Sequence, residues 1–518
     1  MSAKSGRIEK SMLNVLTGLF GQLLSFVMSF VIRTVFIKVL GEVYLGLNGL
    51  FTNILSVLNL TELGLGTAIV IELYKTVANE DEEKTKQYLQ LYRKAYFFIG
   101  VLILLAGLIM MPFLDKFVND KETIELINYR LVFLMYLFNT VFSYFFFAYR
   151  EAILMANQQE YKMRIISYVF KFLEMILQII TLFIFKSIYV YLAIPLVLGC
   201  VSTIVKGVMI GKWFPYILEK PKGKLSKEEI KTTAKNVYSV ALYKISGTVI
   251  NSTDNIILSS YISIILTGIY SNYVILTSAL NTIISKIFSS FTASLGNLNV
   301  DAGDDVEKKY SIFKTISFLN FWVYGYVSVC MFVLFDPFIS IWVGEEFIMN
   351  KPTEIAIVAN FLIAGLQEAI GTHRAAYGLF YKGRYRPVFS VVLNIALSIL
   401  FVKIMPAEYG VVAVLLGTMI SNIAVSWWFD GYLVHKYAFN MKPWKYYITY
   451  WIRFGFISLL CFAFNYVCSL IQLSGVMAFV VYFVICTLGI NLLFIALFFK
   501  TDEFKYLYDN GMRLIKRY

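Results

Sequence analysis

The sequence predicts an all-α membrane protein of about 14 transmembrane helices, arranged as two parallel six-helix lobes with an extra C-terminal helix pair. Three observations carry that expectation. Of 518 residues, 59% are hydrophobic and 17% aromatic, and mean hydropathy is +0.70, which no soluble core explains. The apolar residues form blocks of about 20, the length that crosses a hydrocarbon core as a helix. The 46 Lys and Arg residues, source of a net charge of +13, gather in short loops between those blocks. Such a distribution follows from membrane topology, so no nucleic-acid partner is expected.

The first block, at about 12–38, is too long for the apolar region of a signal peptide and is followed at once by further spans, so it is expected to stay in the mature chain. The remaining spans of the first lobe fall at about 44–71, 94–112, 126–147, 164–184 and 188–212. The second lobe takes spans at about 236–261, 263–291, 314–335, 354–378, 387–404 and 409–434, and the extra pair about 446–469 and 475–499. Three regions result: 1–235 as a lobe with its linker, 236–438 as the second lobe, and 439–518 as the extra pair with a basic tail. The linker is EKPKGKLSKEEIKTTAK at 219–235, polar and flexible in composition. With the N-terminus cytoplasmic, loops on that side and both tails carry roughly 32 Lys and Arg against roughly five opposite, which orients both termini to the cytoplasm.

Several function classes lose support. Cys200, Cys330, Cys461, Cys468 and Cys486 all lie in apolar segments without partnered spacing and read as small core hydrophobes. His373 and His435 are the only histidines and have no metal-ligand cluster nearby, so neither metal nor cofactor is expected. No GxxxxGK[ST] phosphate loop is present. No external loop exceeds about 25 residues, which leaves little room for the chemistry of a membrane glycosyltransferase or polymerase. The acid clusters NEDEEK at 79–84 and DAGDD at 301–305 read as solvated cytoplasmic loop. Transport driven by a gradient or by the cargo itself remains.

An internal repeat points the same way. A shift of about 222 residues lays Asn14 and Val15 on Asn236 and Val237, Gly46 on Gly268, and Ser56 to Asn59 on Ser278 to Asn281. On a helix of 3.6 residues per turn Gln22, Ser25, Ser29 and Arg33 share one face, and their equivalents Lys244, Gly247, Asn251 and Asn255 share another. Such stripes are expected on a wet cavity between two lobes.

About nine cations lie within apolar segments: Arg33, Lys38, Arg130, Lys171, Lys206, Lys244, Lys286, Arg374 and Arg453. Each costs roughly 2.5 to 3.5 kcal/mol at mid-membrane unless it snorkels, pairs or meets water. Lys38, Arg130, Lys206 and Arg453 lie near span ends and are expected to snorkel. Lys171 and Glu174, spaced i,i+3, are expected to pair on one helix face. That leaves Arg33, Lys244, Lys286 and Arg374 as candidate cavity cations, with Gln22, Asn251 and Asn255 as polar companions. Glu62, Asp254 and Glu368, each a lone carboxyl in its span, are candidates for proton or sodium coupling or for interhelical salt bridges. Glycines in YLGLNGLF at 44–51 and TELGLGTAI at 61–69 permit close helix approach or a hinge.

The segments YLGLNGLFTNILSVLNLTELGLGTAI at 44–69, STDNIILSSYI at 252–262, GIYSNY at 268–273, ASLGNLN at 293–299, HRAAYGLF at 373–380 and GVVAVLLGTMIS at 410–421 resemble bacterial capsular and O-antigen polysaccharide flippases. These form the oligosaccharidyl-lipid branch of the multidrug, oligosaccharidyl-lipid and polysaccharide exporter superfamily. The likeness spans most of the first 12 expected spans. It implies a V-shaped pair of lobes in the bacterial cytoplasmic membrane, alternating access, and no covalent chemistry. It also implies a cargo of short oligosaccharide on undecaprenyl pyrophosphate, passed to the outer leaflet for polymer assembly, with polymerase and glycosyltransferase partners. A cationic cavity in such flippases would correspond here to Arg33, Lys244, Lys286 and Arg374. The rival readings are a multidrug antiporter of the same superfamily and a membrane glycosyltransferase or polymerase.

Overall fold

The computed structural model describes residues 3–59, 65–118, 127–157, 159–301, 305–379 and 382–515; the side chains of 3–16, 65–68, 232–246, 293–294, 297–301 and 510–515, and of single positions including Asn251, lie outside that description. Among the described residues the regular structure is helical throughout, and the chain divides into two compact units, Met1–Gly268 and Ile269–Tyr518.

The first unit contains α1 (Ala3–Leu40), α2 (Glu42–Leu58), α3 (Leu65–Ala78), α4 (Glu82–Met110), α5 (Tyr129–Phe145), α6 (Glu151–Ala156), α7 (Glu160–Phe185), α8 (Ile188–Trp213) and α9 (Lys227–Tyr261). It ends within the first turns of α10 (Ile264–Asp301). The second unit continues with α11 (Val306–Trp342), α12 (Lys351–Gly365), α13 (Glu368–Ala376), α14 (Arg386–Ile404), α15 (Gly410–Ser421), α16 (Trp428–Ala438), α17 (Trp444–Ser469), α18 (Gly475–Phe498) and α19 (Asp502–Ile515).

Among the described residues, eleven helices are long and apolar enough to cross a membrane, and twelve if the pair at Tyr129–Phe145 and Ala148–Ala156, bent by 49°, is one span. The expected count of about 14 is thus not reached. Of the two remaining segments, 44–71 is divided between α2 and α3, with 60–64 outside the described residues, and 236–261 lies in α9, whose Ser, Thr, Asn and Lys residues dilute its apolar character. Large side chains along the spans face outward, Phe183, Ile184, Phe389 and Leu459 among them, as lipid rather than water requires. α11 is the exception. About 72% of its apolar window is buried against 17% for α18, so α11 is the helix around which the second unit packs.

Helix starts are set by short polar side chains that accept otherwise unpaired N–H groups. Asp81 caps α4 through Lys84 N at 2.9 Å, Asn128 caps α5 through Leu131 N at 3.1 Å, and Asp305 caps α11 through Lys308 N at 3.0 Å. Ser226 and Glu229 form a reciprocal capping box at the start of α9. The linker that composition marks as flexible is strapped to the first turns of α4. Lys86 Nζ bonds Glu219 at 3.1 Å, Lys84 Nζ bonds Glu229 at 3.0 Å, and the Glu83 carboxylate accepts from the N–H groups of Lys222 and of Gly223. The Ser226 N–H and Lys84 hold the Glu229 carboxyl down at about 2.

Two glycines that the repeat makes equivalent meet in the first unit. A Cβ on Gly46 of α2 would stand 2.1 Å from the Ile264 carbonyl oxygen, and one on Gly268 would stand 2.9 Å from Gly46 N. Backbones approach closely because neither residue has a side chain. α9 packs against α2 and α3 in the same unit, whereas linker and repeat drew a boundary at 235/236. The extra pair α17 and α18 is joined to α11: Trp322 Nε1 donates to Asn491 Oδ1 at 2.9 Å, and the Tyr326 and Thr487 hydroxyls lie 3.0 Å apart.

Candidate functional site

Within the first unit, α1, α2, α5, α7 and α8 line a cavity of about 310 Å³. Lys171, Glu174, Met175 and Gln178 present one face of α7 to it, at i, i+3, i+4 and i+7. α1 contributes Met28, Ser29 and Ile32, α2 contributes Asn48, α5 contributes Tyr136 and Asn139, and α8 contributes Tyr191. The walls are ordered by hydrogen bonds. Tyr136 Oη donates to Asn48 Oδ1 at 2.6 Å, and Gln178 Nε2 donates to the Tyr191 carbonyl at 3.3 Å. The Tyr191 ring is held edge-on against Phe36, centroids 5.0 Å apart. Arg33 and Glu174 both lie within electrostatic range of the Tyr191 phenol.

The expected Lys171–Glu174 pair is not formed: no Lys171–Glu174 contact falls among the described ion pairs, although the charges sense one another. The i,i+3 spacing brings both onto one face, but the open cavity beside them gives each a place to point other than at its neighbour. An apolar bundle thus holds a chamber with a cation, an anion, three amides and two phenols on its walls. Amides and phenols hydrogen-bond hydroxyl-rich ligands, and Lys171 on the wall provides positive charge to meet an anion, with Arg33 close enough to Tyr191 to add to it.

Of the α1 stripe, Ser29 lines this cavity, and Gln22 and Arg33 are half-buried on the same helix. The matching stripe on α9 is not one-sided. Gly247 is exposed, whereas Ser252, Thr253, Asp254 and Asn255 are all buried in succession, so this stretch is packed all round. Asn255 Oδ1 has no hydrogen-bond partner among the described residues. Lys244, Asn251 and Glu62 lie outside the described side chains. Lys286 is exposed on α10. Glu368, at the start of α13, is half-buried and within reach of the Ser285 hydroxyl and of Arg374.

Arg374 finds an acid that is distant in sequence. It donates to Asp430 of α16, and Arg386 of α14 donates to the same carboxylate oxygen at 2.7 Å. Three helices are thereby tied at one buried anion. Three of the four end-of-span cations are also engaged by protein. Arg130 bonds Asp115 at 3.0 Å, Lys206 bonds Glu151 at 3.1 Å, and Arg453 donates to Ser317 O at 2.9 Å and Ser317 Oγ at 2.7 Å. Lys38 is exposed. His373 and His435 sit in an aromatic cluster around Phe313, each Nδ1 at 2.8 Å from the carbonyl one turn earlier.

Sequence reasoning missed Asn48, Tyr136, Asn139, Gln178 and Tyr191 in the cavity, and Arg386 and Asp430 in the second unit. Gln178 carried a signal, since it continues the Lys171 and Glu174 face one turn on. Asp430 carried another, as a buried lone acid in an apolar span. The tyrosines carried none among the 36 in the chain.

These features define a multi-pass, all-helical membrane protein with a polar chamber inside its first unit. The family model described as polysaccharide biosynthesis protein matches residues 12–292, more than half of the chain, and the chain belongs to that family. Among solved structures it is similar to the lipid II flippase MurJ in an inward closed conformation, with a TM-score of 0.60 and 15% identity over 93% of this chain and 99% of that one. It is also similar to an inward-facing multidrug resistance MATE family transporter of the MOP superfamily, with a TM-score of 0.58 and 14% identity over 78% of this chain and 93% of that one. A Vibrio cholerae MATE transporter aligns with a TM-score of 0.53 and 14% identity over 83% of this chain and 98% of that one. At such identities the likeness is one of fold. No curated protein matches the chain.

Proposed function

We propose that this protein is a flippase that carries an oligosaccharide on undecaprenyl pyrophosphate from the cytoplasmic to the outer leaflet of a bacterial cytoplasmic membrane, for capsule or O-antigen assembly. The observation that carries the reading is the chamber of the first unit, where Lys171, Asn48, Asn139, Gln178, Tyr136 and Tyr191 surround a space open to a polar guest. Family membership ties the chain to polysaccharide biosynthesis. Hydroxyl-rich sugars match the amides and phenols, and Lys171 and Arg33 offset part of the cost of taking a phosphate out of water. The cycle is alternating access, in which cargo binds differently to two conformations and no bond is made or broken.

The test is transfer of a fluorescent undecaprenyl-pyrophosphate oligosaccharide in proteoliposomes. Lys171→Gln and Arg33→Gln are each expected to slow transfer about tenfold, the equivalent of about 1.4 kcal/mol. Wild-type transfer by the double variant at equal reconstitution would sink the reading.

A second reading, proton- or sodium-coupled export of cationic small molecules, draws on Glu174, a carboxyl in the chamber without an ion-pair partner among the described residues. It predicts that Glu174→Gln abolishes efflux of a cationic dye from cells. The flippase reading predicts no dye efflux at all.

A further inference from the structure

We propose that a recess in the second unit, between α11, α17 and α19, binds the phosphate of an anionic phospholipid at the membrane surface. The recess has a volume of about 300 Å³ and brings together Lys314, Lys445 and Arg453 with a single acid, Glu503. Its charges are unevenly satisfied. Arg453 is committed to Ser317 and stacks over the Phe321 ring at 5.1 Å. Lys314 shares Glu503 only loosely, at 3.7 Å. Lys445 has neither ion pair nor hydrogen bond among the described residues. Three cations against one acid leave a positive surplus of two, and the exposed Thr449 hydroxyl beside them is able to bond a phosphate oxygen.

The surroundings identify the source of the phosphate as lipid. Trp444, the neighbour of Lys445, is 67% exposed, and it begins an apolar stripe on α17 that continues through Ile448 and Ile452 to Leu459, all exposed. Tryptophan next to lysine at a helix start is the composition of the headgroup level. From Trp444 to Leu459 the helix rises about 22 Å, enough to lie along an acyl chain. The recess is therefore a cationic head with an apolar track below it, the shape and polarity of a phospholipid. A soluble phosphate has no use for the track, and a zwitterionic lipid brings its own cation into an already positive recess.

The test is native mass spectrometry of the full chain in detergent, titrated with phosphatidylglycerol, with phosphatidylcholine, and with inorganic phosphate alone. Wild type is expected to retain one more phosphatidylglycerol than Lys314→Gln/Lys445→Gln, with at least a tenfold weaker affinity in the double variant. Phosphatidylcholine and phosphate are expected not to occupy that site. Lys442→Gln, which removes an exposed charge near the start of α17 that does not line the recess, controls for charge alone and should bind as wild type does. Equal phosphatidylglycerol retention by wild type and the double variant would overturn the proposal. So would full competition by inorganic phosphate, or loss of the lipid in Lys442→Gln as large as in the double variant.

Discussion

Some buried charge in this protein is handled by partners that lie far away in sequence. Asp430 is the clearest case, because one carboxylate oxygen is shared by both Arg374 and Arg386. Removing the shared anion leaves two guanidinium groups facing each other in a partly buried site, whereas removing one cation leaves an intact pair. Asp430→Asn is therefore expected to destabilise the protein by about 3 kcal/mol. Arg374→Gln should cost clearly less, and thermal unfolding in detergent compares the two. The reverse order would show that Asp430 does not hold this cluster together. Lys171 and Glu174 teach the complementary lesson. Their spacing was legible and predicted a pair, yet both line the cavity beside α7 and form no ion pair among the described residues. Spacing along one helix states which residues share a face, and only the neighbouring helices state what that face meets.

Single elements are held by short-range devices that the sequence displays openly. The start of α9 depends on Ser226 and Glu229, and the Glu229 carboxyl is depressed to about 2 from an ordinary 4.5. A depressed carboxyl contributes stability above its unfolded value and loses it as pH falls toward the folded value. Amide-exchange protection of the first turn of α9 is expected to hold from neutral pH down to about 4.5 and to decline between there and about 2. In Ser226→Ala that turn should be less protected at every pH, by about 1 kcal/mol. Protection that rises on acidification would contradict the capping account. At the close approach of α2 and α10, Gly46→Val would drive a side chain into the Ile264 carbonyl. The expected result is loss of folded protein in detergent far beyond that of Gly455→Val, where nothing lies within 4 Å of the added Cβ. The repeat identified Gly46 and Gly268 as equivalent, but that they touch is a fact of packing.

At the scale of the whole molecule, α17 and α18 bear on how the second unit folds. Trp322 and Tyr326 on the central helix α11 bond to Asn491 and Thr487 on α18, and Phe321 packs on Phe494 with centroids 5.0 Å apart. Deleting 439–518 would strip α11 of these partners. The truncated protein is expected to aggregate on size-exclusion chromatography rather than keep a folded core, and a monodisperse product would show the pair to be dispensable.

The sequence by itself determined the class: an all-helical membrane protein, the place of most of its apolar blocks, and a family likeness. Those properties are local or additive, since hydrocarbon selects each apolar block by its own composition. Tertiary structure alone decided which polar groups meet. It placed Arg374 and Arg386 on Asp430, left Lys171 and Glu174 apart on a chamber wall, and set Lys445 at the head of an apolar track. The physical reason is that a charge in a low-dielectric bundle is governed by whatever lies within a few ångströms of it. In this fold those neighbours come from helices tens of residues away along the chain.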